Sequence, residues 1–127
     1  MEIRQEFPPN IREIREKFDI SDLPVVFTYG NILYNPTGYP VSDDLMAHEE
    51  VHEKQQAIIG VNDWWVRYLE DPTFRLTQEV EAYRVQYKSV QGTRDYRRQF
   101  LQYVANSLAS KMYGHIINKN QAKELIK

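Results

Sequence analysis

The chain has 127 residues, no cysteine, and 18 acidic side chains against 16 basic ones, a net charge of −2. That length suits one domain over residues 1–127 with a modest core. The near-neutral balance offers no basic face for nucleic acid or a membrane surface, and the lack of cysteine excludes disulfides, thiolate metal ligands and a cysteine nucleophile. No apolar run is long enough to span a bilayer, and the opening MEIRQEF is too charged for a signal peptide, so a cytoplasmic location is expected.

After Phe7-Pro8-Pro9, Asn10 is placed to cap a short amphipathic helix with Ile11, Ile14 and Phe18 on one face. Ser21-Asp22-Leu23-Pro24 should break it. Residues 25–29 and 32–34 are β-branched or aromatic and flank Gly30-Asn31, the pattern of a tight hairpin. Two prolines and a glycine make 35–40 a loop. Ser42 then caps a helix over about 43–59, with Asp43 and Asp44 at its positive end and Gly60 as its stop. Asn62-Asp63 is expected to cap a short helix carrying Trp64, Trp65, Tyr68 and Leu69, the tryptophans being core. Asp71-Pro72 starts a helix running to about Gln91 and closed by Gly92. Thr93 caps a long helix to about Tyr113, with a core stripe of Leu101, Val104, Ala105, Leu108 and Met112 and a solvated face at residues 94–98. Asn120 is expected to cap a last helix through Ile126. The fold class is therefore α+β and mainly helical, with a small β-hairpin before the helix at 43–59.

That helix contains His48-Glu49-Glu50-Val51-His52. The H-E-x-x-H spacing sets two imidazoles one turn apart on a single face, which suits two ligands of a tetrahedral Zn²⁺. Glu49 lies beside them, where a carboxylate can take a proton from metal-bound water. On a helical wheel His48, His52, Gln55 and Ile59 share a sector, and Ala47, Val51 and Ile58 form the flanking core seam. Glu50, Glu53 and Ala57 turn away. Gln55, a turn beyond His52, is placed either to hydrogen-bond a ligand or to be satisfied by backbone. A third ligand must come from His115 or a downstream carboxylate. In the 72–91 helix the wheel puts Glu79 inward, with Leu76, Tyr83, Gln86 and Val90, and Glu81 outward. An inward carboxylate needs a partner, either a metal or Arg75 at i−4.

His48-Glu49-x-x-His52 followed by Glu79-x-x-Ala82 resembles the gluzincin metallopeptidases. From FPPNIREI and VVFTYGNILYNP through HEEVHEKQQ to KMYGHIINKNQAKELI, the chain also resembles a group of short phage-associated proteins of that type. The resemblance implies a minimal zincin-like fold, one Zn²⁺ held by His48, His52 and Glu79, Glu49 as general base, and a peptide or protein substrate. Several related families carry an aspartate just after the E-x-x-A alanine. Here that position is Tyr83, so the supporting contact is either absent or replaced by Gln55 or Tyr83 itself.

The first functional expectation is thus hydrolysis of peptide bonds by metal-activated water. An alternative is a zinc-bearing binding or structural module of a phage, without turnover. A di-iron bundle would need a second E-x-x-H, and Met112 stands where His115 would require its glutamate. For the oxyanion donor the segment 111–115 offers Tyr113 and His115, with Tyr113 preferred because a phenol stays protonated across the working pH range; the alternative is that Tyr113 packs on the core and His115 is a solvated loop residue. The hairpin is a possible edge for an extended peptide to join.

Overall fold

The computed structural model describes residues 1–20 and 24–127, so the expected helix break at Ser21-Asp22-Leu23 lies outside the described residues. The architecture is α+β and mainly helical: a three-stranded sheet against a group of helices. Among the described residues no helix is long and apolar enough to cross a membrane.

The hairpin forms as β2 (Phe27–Tyr29) and β3 (Ile32–Tyr34) around Gly30-Asn31, with Gly30 at φ 64°. A strand not anticipated from sequence, β1 (Glu2–Arg4), pairs parallel to β3 and makes the sheet order β1-β3-β2. Glu2-Ile3-Arg4 alternates polar and apolar, but the run is short and all three residues are exposed, so no buried face marks it; backbone pairing to β3 recruits it. In α1 (Ile11–Lys17) Ile14 is buried as expected, but Asn10 makes no capping bond with its side chain.

Helix α2 (Asp43–Ile59) starts on Ser42, whose hydroxyl accepts from the Leu45 N–H, and stops at Gly60, where φ is 104°. Gly60 is also the joint to α3 (Val61–Glu70): its N–H donates to Gln56 and its carbonyl accepts from Trp64. The helix therefore begins before Asn62-Asp63, and the expected cap there does not form; Asn62 instead accepts from the Tyr29 hydroxyl. Asp71 caps α4 (Pro72–Ser89) by accepting from the Thr73 and Phe74 N–H groups, and Thr93 caps α5 (Arg94–Leu108). Arg97 departs from the expected solvated face, donating to the Val90 carbonyl and stacking on Tyr87 at the α4–α5 corner.

Two C-terminal expectations are corrected. Helix α5 ends at Leu108, because the Ser110 N–H and hydroxyl both donate to the Ser107 carbonyl and tighten the chain into a 3₁₀ turn at Lys111–Tyr113. Met112 consequently leaves the stripe and is exposed, while Leu101, Val104, Ala105 and Leu108 are buried. The last helix, α6 (Lys119–Ile126), is capped by Asn118 rather than Asn120, through a reciprocal pair with Gln121.

The apolar core has two parts. Leu76, the α5 stripe, Tyr113, Ala122 and Ile126 form one. Ile14, Phe27, Tyr34, Trp64, Trp65, Tyr68 and Leu69 form the other, so the tryptophans are core as expected. Between α2 and α4 runs a third buried layer that is polar.

Candidate metal centre

The buried face of α2 is His48, Glu49, Val51, His52, Gln55 and Gln56. Ile58, assigned to the core seam by the wheel, is 86% exposed, and Ala47 is only half-buried. The true inward sector is rotated toward Glu49 and Gln56, which carry no apolar signal. What faces it is α4, which presents Glu79, Ala82 and Gln86 as buried residues while Glu81 is exposed.

The facing side chains converge on one point. His48 Nε2 and His52 Nε2 are 3.1 Å apart, and Glu79 Oε1 lies 3.1 Å from the first and 3.0 Å from the second. All three residues are buried. Ligands about 2.0–2.1 Å from a tetrahedral ion sit roughly 3.3 Å from each other, a little wider than the hydrogen-bonded spacing found here. The three lie close enough together to bind a metal ion. Arg75 does not take the carboxylate: its guanidinium donates to the Tyr68, Leu69 and Met112 carbonyls and stacks over Phe18. Glu79 uses its second oxygen instead to accept from the Tyr68 hydroxyl at 2.5 Å. That leaves Oε1 for the histidines.

Gln55 fixes the chemistry of His52. Its NH₂ donates to the Gln78 carbonyl at 3.1 Å, which turns its Oε1 to His52 Nδ1 at 2.8 Å. Nδ1 must then carry a proton, so Nε2 is the nitrogen turned to the centre and the one a metal would take in the neutral ring. Burial alone would lower the His52 pKa, but the Glu79 carboxylate beside it outweighs that and raises it to about 9. Burial would likewise raise the Glu79 carboxyl, yet the two imidazoles hold it well below the usual carboxylate range. Both shifts express the same three-way contact.

Glu49 is 7% exposed, and its Oε2 accepts from the Thr28 hydroxyl at 2.8 Å. Thr28 belongs to β2, and its carbonyl accepts from Gln56 Nε2 at 2.8 Å and Trp65 Nε1 at 3.1 Å. Gln56 is wholly buried and also accepts from the Gly30 N–H, so one side chain clamps the hairpin to α2. Tyr83 meets His48 as a ring edge, with centroids 4.5 Å apart, and Trp64 lies 5.3 Å from His52.

A cleft of about 450 Å³ opens over the centre, lined by His48, Glu49, His52 and Glu79 and rimmed by apolar groups such as Phe18, Val25, Leu45 and Phe100. Tyr113 lines this cleft, with its hydroxyl near Tyr68 and Ser107; burial and then the Glu79 charge push its pKa up, so it stays a phenol. His115 is exposed, at φ 51°, and its Nδ1 is 3.2 Å from the Ala109 carbonyl, away from the cleft lining.

Comparison with family models, curated proteins and solved structures finds no match for this chain.

Sequence reasoning did not single out Thr28, Gln56 or Tyr68. Each acts on a residue between 11 and 28 positions away, and only Tyr68, on the same wheel face as Trp64 and Trp65, carried a signal of facing inward.

Proposed function

We propose that the chain is a zinc-dependent peptidase of the gluzincin kind, acting on a peptide or protein substrate. The observation that carries this reading is the convergence of His48 Nε2, His52 Nε2 and Glu79 Oε1 with a buried carboxylate, Glu49, beside them in a cleft. Two imidazoles and a carboxylate are the donor set of catalytic zinc, which keeps a fourth position open. Zinc, when bound there, supplies a water of lowered pKa and polarises the scissile carbonyl. Glu49 takes the proton, its Oε2 fixed by Thr28, and returns it to the leaving amine. Tyr113, protonated and in the cleft, donates to the developing oxyanion.

A second reading keeps the zinc without turnover, as a binding or structural module. It is favoured by one observation: the Thr28 carbonyl on the edge strand β2 is already taken by Gln56 and Trp65, so a peptide joining that edge would find it occupied. Metal content and a degenerate-peptide cleavage screen separate the two. The peptidase reading expects about one zinc per chain and cleavage that vanishes in Glu49→Gln with the zinc retained. Zinc uptake without cleavage of any peptide supports the second reading.

A further inference from the structure

The two histidines of the centre differ in a way that their shared role does not explain. His52 has Nδ1 paired to Gln55, whereas His48 Nδ1 is buried with no hydrogen-bond partner among the described residues. A buried N–H left unmade costs roughly 1–3 kcal/mol. If His48 gives Nε2 to a metal, its Nδ1 must carry a proton, so the orphan is a donor in search of an acceptor.

The acceptor is nearby in the fold. On α4, one turn past the Tyr83 ring that touches His48, stands Gln86; on α2, one turn before His48, stands Asp44. Gln86 donates its NH₂ to Asp44 Oδ2 at 2.9 Å. An ionised carboxylate only accepts, so this bond settles which way the amide points and leaves Oε1 free. Gln86 is 6% exposed, and Oε1 is buried with no partner among the described residues. The same seam thus holds one unpaired donor and one unpaired acceptor, on facing helices and among the residues lining one cleft.

We infer that Gln86 is a positioning residue for the metal centre: its Oε1 accepts from His48 Nδ1–H in the zinc-loaded protein. The arrangement repeats the one at His52. There Gln55 is turned by the Gln78 carbonyl and accepts from Nδ1; here Gln86 is turned by Asp44 and accepts from Nδ1. Each glutamine is anchored through its NH₂ and spends its oxygen on one imidazole. The pairing fixes the His48 tautomer, holds its ring plane and links the first turn of α2 to the centre.

The inference rests on the metal reading above, and its test separates the two. Zinc affinity is measured by competition with a chromophoric chelator for the wild type, Gln55→Met and Gln86→Met, alongside melting temperatures. Loss of a partner that orients a metal-binding histidine costs roughly tenfold to a hundredfold in affinity, and that loss is expected for both variants. A merely structural Gln86 would lower the melting temperature and leave zinc affinity at the wild-type value, which overturns the inference. Nitrogen-15 NMR of the zinc-loaded wild type needs no variant: the expected result is a slowly exchanging His48 Nδ1–H close to the Gln86 side chain. A His48 Nδ1–H that exchanges freely with solvent, or zinc bound through Nδ1, overturns it even if Gln86→Met does not fold. A wild type that takes up no zinc overturns the metal reading and this pairing together.

Discussion

Helices α5 and α2 are of similar length, and both bury one face, but they are held by different physics. The α5 face is Leu101, Val104, Ala105 and Leu108, closed by Ala122 and Ile126 of α6. Nothing there needs a specific partner; each large side chain removed from water contributes roughly 1.5–3 kcal/mol wherever it packs. The α2 face is polar, and His52, Gln55, Gln56 and Glu49 each meet a named atom of β2, α4 or the same helix. A typical hydrogen bond nets only about 0.5–1.5 kcal/mol, yet deleting one partner strands the other at a larger cost. The apolar pair supplies stability that tolerates repacking. The polar pair supplies geometry that does not.

The comparison can be broken first at the chemistry. Glu49→Gln is expected to lower peptide hydrolysis by roughly a hundredfold to ten-thousandfold while zinc content stays near wild type. A Glu49→Gln protein that cleaves peptides like the wild type would remove the peptidase reading. On the apolar side, Leu108→Ala should cost about 2–5 kcal/mol in urea unfolding, with zinc affinity unchanged. On the polar side, Gln56→Ala strands the Gly30 N–H and leaves Thr28 with one donor fewer, so about 1–3 kcal/mol is expected. Unlike Leu108→Ala, it should also lower hydrolysis, because the strand that holds Glu49 loosens; equal activity in the two variants would show that the clamp does not reach the carboxylate.

The centre also has a pH signature that the apolar pair lacks. In chelator-treated protein the His52 pKa is raised to about 9, so its contact with Glu79 stabilises the fold fully below the unfolded value near 6.5. That contribution is lost as pH rises through about 9. Melting temperature of the chelated wild type should therefore decline across this window, and that of His52→Leu should not. The smallest effect is expected at the surface pair Lys17–Glu70, at 3.3 Å with both side chains largely in solvent; Lys17→Ala should change stability by less than about 1 kcal/mol.

The same contrast explains what could be read from sequence. The α5 stripe was legible because apolar periodicity reports hydrophobic burial, and it failed only at Met112, past the point where Ser107 and Ser110 redirect the backbone. The histidine pair and Glu49 were legible because their spacing is local to one turn of helix. Glu79 is buried and Glu81 exposed, as the wheel expects, because both sit on a single long helix whose phase the wheel can fix. On α2 the wheel misplaced Ile58 and passed over Gln56, since there the buried face is made of residues that ordinarily face water. Thr28 and Tyr68 were out of reach for a further reason: their roles depend on which atom of another element stands opposite, and no spacing within one segment encodes that.

Thr28 has a consequence beyond the centre. A short sheet with free edges invites strands of other molecules, and such pairing leads toward aggregation. Strand β2 is such an edge, but its middle carbonyl is occupied by the indole of Trp65 and the amide of Gln56. The opposite edge, β1, is three residues long and carries Glu2 and Arg4, charges that discourage a neighbouring strand. The side chains that set the hairpin against Glu49 therefore also cover the sheet edge, and Gln56→Ala is expected to raise self-association, read by light scattering.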